Sequence, residues 1–173
     1  MACGTLTKGR GLDCNRISGG IKNIYFAVYD QITTELSGDQ IIDIEMGTND
    51  LYRYTMPLGV ASLTDTITGS RENGTVFFTP TVNIILNRLT KEDQNQIKLL
   101  AQTKVVIFAE LNATLASNGH NVIVCLGRVN GMELNAGTMD SGAAFGDRGG
   151  YTLTFDGLEN EPFQMVADLL LVI

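Results

Sequence analysis

The sequence is short of the residues on which most protein chemistry depends. One histidine, three cysteines and three prolines occur in 173 residues, and 12 lysines and arginines face 19 aspartates and glutamates. The resulting charge of −7 is the wrong sign for gripping phosphates through counterion release, which argues against tight nucleic-acid binding. An acidic surface can still line a passage along which DNA slides without sticking. His120 follows Asn118 and Gly119 at a turn, and no Gly-x-Ser-x-Gly elbow exists to partner it, so it reads as a solvated histidine rather than a catalytic one. Cys3, Cys14 and Cys125 are an odd set whose first spacing is too long for a zinc-ligand pair; they read as free, packed thiols. Gly-x-Gly-x-x-Gly and Gly-Lys-Ser/Thr are both missing, so nucleotide binding has no support. Met1 to Arg10 lacks an apolar signal-peptide stretch, and the run Ala167 to Ile173 is too short to cross a bilayer. The expectation is a chain made in a reducing cytoplasm, with no membrane partner, cofactor, metal or catalytic residue.

What is present is apolar and glycine-rich: 44% hydrophobic and 18% charged residues, with 19 glycines. A chain of this length should form one domain, 1–173, burying about two-thirds of its unfolded surface, enough for a core without disulfide or metal staples. Period-two alternation dominates. Thr75 to Leu86 places Val76, Phe78, Pro80, Val82, Ile84 and Leu86 on one face and Thr75, Phe77, Thr79, Thr81, Asn83 and Ile85 on the other, a long half-buried strand with an edge or bulge at Pro80. Tyr151, Leu153 and Phe155 alternate likewise with Thr152, Thr154 and Asp156, and Phe163 to Ile173 reads as a closing strand. Further candidates are Ile21 to Ile32, Gln40 to Met46, Leu51 to Leu58, Lys104 to Leu111 and Asn121 to Asn130. About eight antiparallel strands make a mainly β barrel or sandwich. One flanking helix is signalled from Lys91 to Gln102, capped by Thr90 with Asp93 three residues on, and with Ile97, Leu100 and Ala101 on its apolar face.

Two stretches look like appendages. Residues 59–77 read as a protruding hairpin arm that turns at Asn73-Gly74, and residues 131–149 as a long Gly-rich loop without periodicity. The acids Asp156, Glu159 and Glu161 crowd one turn while Asp140 and Asp147 lie in the loop; neither set has EF-hand spacing, and they read as solvated loop acids rather than a calcium site. Phe77 and Tyr25 have no interleaved basic residues, which favours core or interface packing over a groove for single-stranded nucleic acid.

The stretches Ser18-Gly-Gly-Ile-Lys-Asn-Ile-Tyr25, Thr68 to Ile84, Thr90 to Phe108 and Leu134 to Leu158, with its Gly-Tyr-Thr-Leu-Thr-Phe-Asp-Gly run from Gly150, carry a resemblance in their order. A strand-rich domain with one helix, a long arm and a Gly-rich loop before the last strands resembles the tail tube proteins of tailed bacteriophages and the tube proteins of contractile injection systems. The resemblance implies a virion protein, assembled in the host bacterial cytoplasm, of which six copies close a ring. Their joined sheets form an inner barrel, and stacked rings conduct DNA. Six copies at −7 would carry about −42 per ring, which repels sliding DNA. By the same resemblance Ser62, Thr64, Thr66, Thr68, Arg71, Asn73, Thr75 and Phe77 would contact the next ring. Met132, Leu134, Met139, Phe145 and Arg148 would fill the seam between subunits or rings, and the helix would lie outside the sheet. The partners so implied are further copies of the chain, tape-measure, terminator and baseplate or tail-tip proteins, and DNA in transit.

Three other readings compete. Another virion structural β protein, such as a tail terminator, connector or head decoration protein, shares the fold class. A lipocalin-type ligand barrel would need an open apolar cavity. An enzyme would have to work through Asp156, Glu159 and Glu161. Independently of any resemblance, open sheet edges and a half-apolar arm are hazards for a monomer that a closed ring removes.

Overall fold

In a computed structural model the described residues are 8–11, 18–48, 50–115 and 119–167. Cys3, Cys14 and most of the proposed closing strand lie outside them. Among these residues eleven strands and one α-helix follow one another: β1 (Ile21–Val28), β2 (Thr33–Ser37), β3 (Gln40–Glu45), β4 (Tyr52–Thr55), β5 (Ser62–Ser70), β6 (Thr75–Asn87), α1 (Lys91–Leu100), β7 (Val105–Thr114), β8 (Asn121–Leu126), β9 (Glu133–Asp140), β10 (Gly150–Asp156) and β11 (Gln164–Val166). They form a seven-stranded sheet in the order β2-β3-β11-β8-β7-β1-β4 and a four-stranded sheet in the order β5-β6-β10-β9. Neither closes on itself, so of barrel and sandwich the architecture is a sandwich. All pairs are antiparallel except β11 with β3.

The core lies between the sheets because alternation aims one side chain in two inward. Ile24 and Phe26 of β1, Ile107 and Ala109 of β7, and Val124 and Leu126 of β8 meet Val82 and Ile84 of β6 and Tyr151, Leu153 and Phe155 of β10. Phe26 ties the layers together: its ring centroid lies 5.1 Å from that of Phe155 and 5.1 Å, edge-on, from that of Tyr54. The other face of the large sheet buries Tyr25, Ala27, Val106, Phe108, Ile123 and Cys125, against which Tyr29, Ile32, Met46 and Leu51 pack. Burial on both faces is why β1, β7 and β8 read as nearly continuous apolar runs. It also holds Cys125 inert, since enclosure pushes its thiol pKa far up.

Several expectations need correction. The strand expected at Ile21 to Ile32 ends at Val28, where Tyr29–Gln31 makes a single 3-10 turn. The Gly-rich stretch 131–149 is not one loop: Glu133–Asp140 is an edge strand paired with β10. It escapes a periodicity search because an edge strand buries little, and its one required small residue, Gly137, lies opposite Leu153, whose Cδ2 is 3.0 Å from where a Cβ would stand. Pro80 marks no bulge, since the β5–β6 register runs through it unbroken, but it stands where the β10 ladder leaves β6. Its carbonyl accepts from Gly157 N at 3.2 Å, but it has no N–H to return. The β10 ladder therefore stops at Asp156, and pairing resumes once, at Phe78 with Glu159.

Helix α1 starts as expected, with Thr90 Oγ1 accepting from Asp93 N at 3.1 Å. It ends two residues early, at Leu100, and Ala101 is exposed. Ile97 and Leu100 pack onto the core.

Candidate functional site

The four-stranded sheet has two unlike faces, set by register. Through the pairs Leu63↔Val82, Asp65↔Pro80, Ile67↔Phe78 and Gly69↔Val76, one face of β5 and β6 is apolar apart from Asp65, whose Oδ2 accepts from Phe163 N at 3.1 Å, and continuous with the core. Through Ser62↔Asn83, Thr64↔Thr81, Thr66↔Thr79, Thr68↔Phe77 and Ser70↔Thr75, the other is a carpet of hydroxyls. Thr152 and Thr154 of β10 and Ala136 and Thr138 of β9 extend that carpet. Thr154 Oγ1 donates to Asn83 Oδ1 at 2.7 Å across it. None of the four strands contains lysine or arginine, while Glu133, Asp140 and Asp156 alternate onto the same face. The one guanidinium reaching in from the connecting loop is that of Arg148, 3.0 Å from Thr152 Oγ1.

The hairpin outruns the sheet. β10 covers β6 from Thr81 to Asn87, and beyond the Phe78–Glu159 bridge β5 and β6 pair only with each other as far as Ser70↔Thr75. The turn 71–74 closes the ribbon with Gly74 at φ +63° and Ser70 Oγ accepting from Asn73 N at 3.3 Å. All eight arm residues singled out above, Ser62, Thr64, Thr66, Thr68, Arg71, Asn73, Thr75 and Phe77, are exposed. Six of them lie on the hydroxyl face and two in the turn. The predicted contact set leaves out the opposite face, on which the alternation had already placed Val76, and where Ile67 and Val76 are 68% and 62% exposed. Their signal was available: alternation counted outward through the Asn73-Gly74 turn puts both in line with the core.

The second predicted set divides. Met132 is wholly buried, bridged to Val105 and inside the core, so it cannot fill a seam between subunits. Leu134 is half-buried against the core, whereas Met139, Phe145 and Arg148 are exposed. The remaining loop, 141–149, is held from within. The Asp147 carboxylate accepts from Ala144 N at 2.6 Å and Ala143 N at 3.0 Å, which holds its pKa below the ordinary value. Asp140 Oδ1 accepts from Gly142 N at 2.9 Å, and Arg88 N donates to Gly149 O at 2.9 Å.

The acidic turn is not a site of convergent carboxylates. Glu159 is buried rather than solvated, because its oxygens accept from Asn130 N at 2.9 Å and Val129 N at 3.2 Å, closing the 127–130 turn. Burial raises its pKa against the pull of those amides. Glu161 pairs with Arg128 at 2.6 Å, and Asp156 takes the Asn135 amide at 2.9 Å. Among the described residues no cluster of three or more His, Cys, Asp or Glu is placed to hold a metal, and no helix is long and apolar enough to cross a membrane. His120, at the β8 entrance, is exposed, and its carbonyl accepts from Leu115 N at 2.8 Å. The space between the sheets is filled by Phe26, Tyr151, Leu153 and Phe155. A cleft of about 710 Å³ opens beside Thr79, Asp156 and Leu158, where Lys104 Nζ lies 3.5 Å from Glu133.

Comparison with family models, with curated proteins and with solved structures finds no match.

Proposed function

We infer that the chain is a structural subunit of a bacteriophage-type tail tube, in which rings of six copies stack into a channel for DNA. The observation that carries this reading is the outer face of the four-stranded sheet, hydroxylated, acidic and without a strand-borne cation. DNA sliding over it finds no cationic strand residue to release its counterions and only the Arg148 guanidinium at one end, so the wall repels weakly and offers little grip.

Strand direction supports lateral joining. β5, β6, β10 and β9 alternate up and down, so a rotated copy brings its β5 antiparallel to the first copy's β9. Both are edge strands with one row of unpaired backbone groups, which such pairing satisfies. Six sheets so joined make a barrel about 45 Å across at the backbone, wide enough for duplex DNA. Helix α1, packed on the core side, then faces away from the channel. The ligand-barrel reading finds no support in an interior filled by large side chains.

Shortening the hairpin tests the reading. Removing the whole arm from Ser62 would strip the sheet of β5, so the informative variant replaces Thr68–Phe77 with Asn-Gly. The expected result is a protein with wild-type circular dichroism that forms no tubes longer than single rings. Long tubes from this variant would contradict the role given to the arm.

A further inference from the structure

Both ends of the four-stranded sheet leave apolar surface bare, and the two surfaces differ in shape. At the hairpin end Ile67 and Val76 stand exposed on the apolar face of the ribbon, with Phe78 beside Ile67 and Gly69 opposite Val76. Gly69 contributes no side chain, so the face carries a notch. Nothing within the subunit asks for a glycine there. Its φ is not positive, and a Cβ built on it would meet Val76 Cγ2 at 3.7 Å, an ordinary contact. Glycine inside a strand weakens it, and where the chain itself does not need the space, the space suits a close approach from outside.

At the opposite end of β6 the loop 141–149 presents Phe145 with its side chain fully exposed. A ring in water on a slack loop would fold back. This loop is pinned by the Asp147 and Asp140 carboxylates and by the Arg88–Gly149 bond, so the ring is held out rather than left out. A pinned aromatic knob at one end of a sheet and an apolar notch at the other form a heterologous pair. Such a pair does not close between two copies but repeats, which generates a stack. A buried aromatic ring removes about 150–200 Å² from water and is the usual kind of anchor at the centre of a contact.

Resting on the self-assembly reading above, we propose that Phe145 of one copy seats in the Gly69 notch of the copy stacked on it, making this the anchor of the axial contact. The partner is a second copy of this chain, and the contact is distinct from lateral joining through β5 and β9.

Two variants and their mixture test this by electron microscopy and sedimentation. Phe145→Ala removes the knob at a site with no internal contacts to lose. Gly69→Val fills the notch with a better strand former, so its melting temperature should equal or exceed that of wild type while stacking is lost. Each variant alone should give rings one layer thick, with tube length reduced at least tenfold. Mixed together, Phe145→Ala rings retain a notch and Gly69→Val rings retain a knob, so the mixture should give rings stacked in pairs. Tubes of wild-type length from either variant would overturn the proposal, as would a folded variant that forms no rings, since that would make the contact lateral. Wild-type protein that forms neither rings nor tubes would overturn the assembly reading itself, and this proposal with it.

Discussion

The carboxylate of Glu110 is 2% exposed on β7, yet three neighbours turn hydrogens toward it: Asn23 Nδ2 at 2.5 Å, Lys22 Nζ at 3.0 Å and Tyr25 OH at 3.3 Å. Burial alone would raise its pKa, but these partners together hold it below the ordinary carboxyl value. A carboxyl with a lowered folded pKa stabilises the fold above its unfolded pKa, and that contribution is lost as pH falls through the folded value. Glu159 runs the other way: its raised pKa favours the fold below the unfolded value, a contribution lost as pH rises through the folded one. Glu110→Gln should therefore melt lower at pH 7, by about 1–3 kcal/mol of stability, and should lose less of its stability than wild type on acidification from pH 6 to pH 3. Parallel melting curves for the two proteins across that range would contradict this account. Composition did not reveal Glu110, because a lone acid in an apolar run looks like a strand end until its partners on β1 are known.

At the scale of elements, the interior strands were the legible ones. β6, β7, β8 and β10 alternate or run apolar because packing on one or both faces demands it. β2, β5 and β9 gave weaker signals: edge strands bury little, and their residues answer to backbone pairing rather than to burial. The split of residues 131–149 into a core bridge at Met132, an edge strand and a short pinned loop was invisible for that reason. Gly150 shows the opposite case, a glycine whose need is internal. A Cβ there would stand 2.0 Å from Leu86 O, a backbone atom held by the β6–β10 ladder. Gly150→Ala should destabilise the sandwich by at least about 3 kcal/mol, read as a shift in the urea midpoint. A shift below a third of that would mean the ladder yields more easily than its register suggests. Gly69 and Gly150 lie at opposite ends of the same sheet, and only Gly150 is required by contacts within the chain.

At the scale of the whole molecule, the fold divides its labour between layers. The seven-stranded sheet carries buried side chains on both faces and the strand-borne cations Lys22 and Arg53. The four-stranded sheet carries one core face, one hydroxylated acidic face, two open edges and two unlike ends. Sequence reading reached the arm, the acidic balance and the two faces of β6, but how the faces of β5 line up with them depends on register, and register on the turn at residues 71–74. Whether the hydroxyl face of β5, β6, β10 and β9 lines a channel is decided by electron cryomicroscopy of the purified wild-type chain. The expected image is of stacked rings with a central hole walled by the four-stranded sheet, Thr79, Thr81 and Thr154 facing inward and α1 on the outside. A uniform 18.7 kDa monomer at every concentration, or rings with α1 toward the hole, would contradict it.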